Sequence, residues 1–337
     1  MGFVTNAAVD VGYGRTKGRR KGRECDLRSV IGDYKQVRFS LGESTEQRIA
    51  LQYNDKKYTV DEAAIAQSTP QATIDEKRAF SEEGLVLLLA ALVKLTDGNP
   101  AENVNLVVGL PVLYYDTYKN DYLKAIKKIH AVDILKMDSD LSVRKYFSVE
   151  NAKVLPQPVG IIFDLITDDD GKMTDEQKKL AQGNLGAISI GFNTVELARV
   201  DNLDYKNRRS TSFLEMGMFT VFQELSDEIF KYHKVRVQVE KMEPVYRSGY
   251  IKKEGEMIDI SKLKMIALET VASKVLSSVK SFWQDRWELD KIAIAGGGAI
   301  DLAAFIARDL GKQAVIVERP LFSTVDGFFK YAQRTWK

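Results

Sequence analysis

Val9-Asp10-Val11-Gly12-Tyr13-Gly14-Arg15 and Ile188-Ser189-Ile190-Gly191-Phe192-Asn193-Thr194 decide the reading of this chain. Both run apolar, small polar, apolar, Gly, aromatic, then Gly or Asn. Their second residues lie 179 positions apart (189 minus 10). Each segment ends an apolar strand signal and opens a hairpin. Gly12 and Gly191 let backbone approach a ligand with no Cβ in the way. Gly14 and Asn193 are residue types that tolerate a left-handed conformation, which is expected at both. Such a turn aims consecutive N–H groups into one concavity, an anion nest suited to phosphate. Alone, either segment reads as an ordinary hairpin turn. Taken together with Gly296-Gly297-Gly298, they point to two facing nests, one per domain, around a polyphosphate.

The same alternation of strand and helix signals extends outward from both turns. The hairpin returns through 15–20, strand signals follow at 48–52 and 57–60, and Asp61 caps a short helix over 62–67. A helix is expected over 81–95, a buried strand over 104–109, an amphipathic helix over 118–128 and a short strand over 153–155. Pro156 then turns into an apolar helix over 159–166. In the second half, strands are expected at 185–190, 194–200 and 205–211, and helices at 218–231, 237–247 and 260–283. A strand at 292–295, a helix at 299–310, a strand at 314–317 and a closing helix at 324–336 complete the reading. Strands and helices mix in both halves, so the fold class is α/β in layers.

Composition removes several function classes. Lys and Arg total 49 against 47 Asp and Glu, and a net charge of +2 gives no general attraction to nucleic acid or an anionic membrane. Cys25 is the sole cysteine and His130 and His233 the only histidines, which removes disulfides, Cys/His zinc sites and Cys/His hydrolases. Asp168-Asp169-Asp170-Gly171 does not fit a calcium loop. With Gly171 sixth, the first and twelfth positions would be Ile166 and Gln177, so the segment is a solvated turn. The absence of a signal pattern and of a run of about 18 apolar residues leads to the expectation of a soluble, cytoplasmic protein. The basic run from Arg15 to Arg23 reads as a hairpin with Arg15 and Lys17 on a phosphate-facing side, Arg20 toward water and Arg19 to Arg23 solvated, the alternative for the latter being a filament contact or an acidic partner. Trp283, Trp287 and Trp336 read as packing residues, and Cys25 as an inert thiol.

These segments resemble the actin, sugar-kinase and heat-shock ATPase superfamily. Asp10 to Lys17 is similar to its first phosphate loop, Ser189 to Thr194 to the second, and 292–300 (IAIAGGGAI) to its adenosine motif. Val154-Leu155-Pro156-Gln157-Pro158 resembles the connecting segment that bears the water-positioning residue. Within the superfamily, the tail from Pro320 to Tyr331, Gly109-Leu110-Pro111-Val112 and the Tyr58 to Ala63 stretch are similar to plasmid-segregation actins of the ParM type and to archaeal actin-like proteins.

The resemblance implies a two-domain actin-like (ribonuclease H-like) α/β fold with a nucleotide cleft between the domains. Domain I would take in 1–157, with a closing helix over 321–337 returning to it, and domain II 158–320. Asp10 would hold Mg²⁺ through water. Gly12, Tyr13, Gly14, Arg15 and Thr16 would surround the β- and γ-phosphates of ATP or GTP with Lys17 as a cation on them. Gly191, Phe192, Asn193 and Thr194 would clasp from the other side. Gln157 would orient the attacking water. Gly296, Gly297 and Gly298 would lie against base and ribose, and Gly217 on the nucleoside side. The superfamily usually has Asp where this chain has Ser189, which shifts metal binding onto Asp10 and leads to the expectation of slow hydrolysis. Glu196, on the hairpin return, is not a substitute by sequence alone.

The implied function is a polymerising ATPase or GTPase whose filaments segregate plasmid DNA through a DNA-binding adaptor, with no direct contact to nucleic acid or membrane. A small-molecule kinase on the same scaffold is the alternative, though no catalytic Asp or substrate segment beyond the phosphate loops is evident. A chaperone-type ATPase is not expected, since that reading calls for a peptide-binding domain in addition to these segments. A membrane-bound adaptor would use the amphipathic end of the chain, which reads instead as a docked helix.

Overall fold

Two compact units make up the computed structural model, Met1–Gln177 with Thr324–Lys337 and Lys178–Ser323. The structure describes residues 4–34, 48–67, 77–96, 100–136 and 141–336.

The first unit is organised by three parallel strands. The apolar run of β1 (Val4–Val11) lies parallel to β7 (Ala101–Leu110), which lies parallel to β9 (Ser142–Pro156). On the other side of β1, β2 (Arg15–Arg20) and β3 (Arg23–Arg28) add antiparallel. The sheet continues past β9 through β8 (Ala131–Leu135), β5 (Ile49–Tyr53), β6 (Lys56–Val60) and β4 (Ile31–Asp33). A short helix, α1 (Glu62–Gln67), follows β6. Ser81 accepts the Gly84 N–H and starts α2 (Glu82–Leu95), whose Leu85 to Leu92 run is buried against β1, β2 and β3. α3 (Val112–Lys127) connects β7 to the outer strands, and α4 (Gln157–Ile166) leaves the end of β9. α5 (Asp175–Ala181) leads out of the unit.

The second unit repeats the arrangement. β10 (Asn184–Ile190) pairs antiparallel with β11 (Thr194–Asp201), which pairs with both β12 (Asp204–Tyr205) and β13 (Thr211–Leu214). α6 (Met218–His233), α7 (Met242–Ser248), the hairpin β14 (Tyr250–Lys253) and β15 (Glu256–Asp259), and α8 (Ser261–Phe282) follow. β16 (Lys291–Ala295) lies parallel to β10, and beyond α9 (Ala299–Leu310) comes β17 (Ala314–Ile316), parallel to β16. The order β12-β11-β10-β16-β17 thus matches β3-β2-β1-β7-β9. Ile188, Ile190, Phe222, Val271, Trp283, Ile294 and Leu302 share one core.

The chain returns to the first unit in α10 (Ser323–Thr335), which buries Val325, Phe328, Phe329 and Ala332, so the amphipathic end is a docked helix. α10 crosses α4 where Gly327 meets the Gly160 carbonyl, an approach that any side chain at 327 would block. No helix among the described residues is long and apolar enough to cross a membrane.

Several expectations are corrected. The helix expected from 118 begins at Val112, directly after Pro111, whose extended backbone serves as the cap position. β9 is 15 residues long where three were expected, because exposed positions such as Ser142, Arg144 and Ser148 hide its alternation. The strand expected at 205–211 is split by a 3₁₀ turn at Asn207–Arg209. Arg19 and Arg20 are not solvated. Arg19 meets Glu24, Asp169 and Asp326, and Arg20 donates to the Leu95 carbonyl at 3.3 Å, because α10 and α2 cover that part of the hairpin. Trp283 is fully buried, but Trp287 is 75% exposed. The Cys25 thiol is buried, and desolvation pushes its pKa up to about 12, which suppresses the reactive thiolate.

Candidate functional site

Parallel strands bring their C-terminal ends to one edge, and ligands of such sheets bind beyond that edge. In the first unit this edge carries Asp10 at the end of β1 and Gln157 at the start of α4, 147 residues apart in sequence. The Gln157 Nε2 donates to Asp10 Oδ1 at 2.7 Å. The hairpin register sets Asp10 directly opposite Lys17, whose Nζ lies 3.4 Å from Asp10 Oδ2. Asp10 is 4% and Lys17 9% exposed. Lys17 therefore points its charge at the carboxylate beside it. Close by, the Tyr122 phenol is fully buried, with its pKa raised by burial and further by the Asp10 charge.

The turn itself closes with the Gly12 N–H donating to the Arg15 carbonyl at 3.1 Å. A Cβ on Gly12 would stand 2.8 Å from that oxygen, so the closure demands glycine there. The Gly14 carbonyl accepts from the Ser29 N–H at 3.0 Å, and the Thr16 and Ser29 hydroxyls lie 2.8 Å apart. Arg15 binds Asp26 at 2.5 Å. Arg78 was not marked by the sequence. It donates to the Gly12 carbonyl and covers the Tyr13 ring, 5.4 Å from the centroid.

The second unit builds the same hairpin from different supports. The Gly191 N–H donates to the Thr194 carbonyl at 2.8 Å, with Ile190 opposite Val195 and Ser189 opposite Glu196. Glu196 is 3% exposed and accepts from the Ser212 hydroxyl at 2.8 Å. All three turn carbonyls accept backbone N–H groups from the segment that leads into α6: Gly191 from Met218 at 3.3 Å, Phe192 from Phe219 at 2.8 Å and Asn193 from Met216 at 3.2 Å. Gly217 lies against the Gly191 and Phe192 carbonyls. The Phe192 ring meets Phe219 and Phe222 edge-on, each 6.0 Å away. From the end of β16, the Gly298 N–H donates to the Ile190 carbonyl at 2.9 Å, and Gly296 has φ +99° over the same peptide.

Within the first unit the structure thus gathers Asp10, Gly12, Tyr13, Gly14, Arg15, Thr16, Lys17 and Gln157. Within the second it gathers Ser189, Gly191, Phe192, Asn193, Thr194, Gly217, Gly296, Gly297 and Gly298. One reason offered from sequence fails: neither Gly14 nor Asn193 is left-handed. The hairpins close instead by the short Gly12–Arg15 and Gly191–Thr194 bonds, and the left-handed glycine is Gly296.

A trans peptide directs its C=O and the next N–H to opposite sides. Carbonyls held on one side therefore leave the following N–H groups facing the other side, an arrangement that suits an anion. The donor set also bears on a divalent cation. No group of three His, Cys, Asp or Glu side chains is clustered among the described residues, so an all-protein metal cage is not built there. A single carboxylate such as Asp10 fits Mg²⁺, which keeps several waters and takes its remaining oxygens from phosphates.

Comparison with known proteins places both halves. Residues 8–160 match the family of actin like proteins, N terminal domain, and 187–307 the archaeal actin homologue MreB-like, C-terminal family. Among solved structures, the non-polymerisable quadruple mutant of pCBH ParM superposes with a TM-score of 0.78 at 20% identity, covering 98% of this chain and 100% of that one. The 15-stranded ParM filament from Clostridium botulinum gives 0.78 at 20% identity, with 98% and 99% covered. The archaeal actin homologue Ta0583 in complex with ADP gives 0.75 at 17% identity, with 99% and 100% covered. No curated protein sequence matches significantly.

Proposed function

Since this chain is an actin-like protein in both of its halves, we propose that it binds ATP or GTP with Mg²⁺, polymerises head to tail, and hydrolyses the nucleotide slowly. The filament would act in the cytoplasm, segregating plasmid DNA through a DNA-binding adaptor. What carries the reading is the repeated glycine hairpin with, at one copy, an amide fixed on a carboxylate. Relatives of this fold described as filaments support the polymer, and the one described with ADP supports the ligand.

Mg²⁺ bound with the nucleotide would supply positive charge to the phosphate oxygens. Asp10 would hold that ion through water, and Gln157 would orient the attacking water by hydrogen bonding without taking its proton. Gly296, Gly297 and Gly298 offer bare backbone to the nucleoside. The position of Ser189 supplies a hydroxyl and no charge, while the carboxylate opposite it, Glu196, is buried and bound to Ser212. One of the two usual acids is therefore missing, and turnover is slow. Hydrolysis then acts as a timer on a heterologous interface that does not close on itself.

Light scattering and pelleting after nucleotide addition test the proposal. Polymer is expected with ATP or GTP plus Mg²⁺ and with neither alone, and the Asp10→Ala protein is expected to stay in the supernatant. Wild-type protein that binds neither nucleotide would overturn the reading. So would phosphate release that depends on an added sugar or acid.

A further inference from the structure

Arg78 is a buried cation whose partners are almost all neutral. It is 5% exposed, and its Nη1 and Nη2 donate to two backbone carbonyls, Gly12 and Ser29, each at 3.1 Å. Its guanidinium also covers the Tyr13 ring. Among the described residues it forms no ion pair with a carboxylate. Burial pulls its pKa down, as expected of a charge removed from water. A buried guanidinium in that state favours an anion nearby.

Its backbone is held just as firmly. Ser81 donates through both N–H and Oγ to the Arg78 carbonyl, at 3.2 Å and 3.0 Å, and Gly84 packs so closely on that carbonyl that no side chain fits there. The two carbonyls it grips lie 66 and 49 residues away in sequence. Both belong to the phosphate turn's framework, since Ser29 in turn donates to the Gly14 carbonyl.

We propose that Arg78 is a positioning residue of the nucleotide site, doing for the first turn what the start of α6 does for the second. By holding the Gly12 carbonyl from behind, it turns the Tyr13 N–H the opposite way, toward the β- and γ-phosphates, and its charge favours them. The planar fork is preorganised for two carbonyls on separate segments, which an ammonium on a flexible stem holds less firmly. This rests on the nucleotide reading above, and the test separates the two.

The test compares wild type, Arg78→Ala and Arg78→Lys by calorimetric titration with the preferred triphosphate and with the matching nucleoside monophosphate, alongside melting temperature. The expected result is a loss of triphosphate affinity of about ten- to a hundredfold in Arg78→Ala, the range for a hydrogen bond involving a charged group. Arg78→Lys should recover part of that loss, and monophosphate affinity should stay within about twofold. A purely structural role would lower both affinities together with the melting temperature, and that result overturns the proposal. So do triphosphate affinities that match wild type. Should Arg78→Ala not fold, the Arg78→Lys ratio of the two affinities decides alone, selective loss supporting the proposal and parallel or absent loss refuting it. If wild type binds no triphosphate, the nucleotide reading itself falls. If it binds normally and the variants do too, only the role of Arg78 does.

Discussion

The Gly12 and Gly191 turns share a closing hydrogen bond, a register and a place at the end of parallel strands, yet they are braced by opposite means. Around Gly12 much of the bracing comes from charged and amide side chains brought from afar: Arg78 on a carbonyl, Lys17 on Asp10, Gln157 on Asp10. Around Gly191 it is peptide backbone, with the segment 216–219, Gly296 and Gly298 pressed against it. The first turn can thus be altered by changing a charge, the second mainly by adding a Cβ. A duplicated fold keeps the direction of the N–H groups and leaves the means of fixing them free.

A graded glycine series sharpens that contrast. Gly296 combines φ +99° with an Ile190 carbonyl where its Cβ would be. Gly296→Ala should cost about 3 kcal/mol, from a left-handed alanine and an overpacked contact. For a unit of this size the corresponding fall in melting temperature is roughly 6–12 °C. Gly12→Ala meets the Arg15 carbonyl at 2.8 Å and should cost about 1–2 kcal/mol. Gly191→Ala meets the Thr194 carbonyl at 3.2 Å and should cost less than Gly12→Ala. Gly297→Ala finds only the Leu321 methyl at 3.4 Å, an ordinary contact, and should stay within about 0.5 kcal/mol of wild type. Differential scanning calorimetry gives the ranking. If Gly297→Ala proved as harmful as Gly296→Ala, the triple glycine would be there for flexibility alone and the steric account would be wrong.

The series also marks what sequence could and could not reveal. Both hairpins were legible because a turn's needs are local, and an apolar run ending in Gly-aromatic-Gly or Gly-aromatic-Asn expresses them within seven residues. The reason assigned to Gly14 and Asn193 was wrong, since residue tolerance for a left-handed backbone does not show that the backbone uses it. Most of β9 was hidden because exposed and buried positions alternate irregularly along it. Arg78 was invisible for a different reason. Its partners are carbonyls, which every residue carries, so no pattern of side chains points to it. The fate of Arg19 depended on α10, some 300 residues further along the chain.

A second contrast concerns the pair of positions facing each other just before the two turns. In the first unit they hold Asp10 and Lys17, opposite charges on one face of the hairpin. In the second they hold Ser189 and a buried Glu196. Ser189→Asp therefore places like charges on directly opposed strands, which should cost about 1 kcal/mol at pH 7. Repulsion raises the pKa of the carboxylates in the folded state above the unfolded value. The penalty should accordingly vanish below about pH 3, where both are protonated in either state, and grow as pH rises from there through the raised folded value. Adding Glu196→Lys recreates the arrangement of the first unit. Lysine at a buried position and loss of the Ser212 bond make that single change unfavourable, so the coupling energy of the double-mutant cycle is the quantity to read. Urea unfolding of wild type, Ser189→Asp, Glu196→Lys and the double variant should give a favourable coupling of about 1 kcal/mol between the two introduced side chains. Zero coupling with no pH dependence would mean the two side chains diverge despite their register, and Ser189 would then owe nothing to its neighbour.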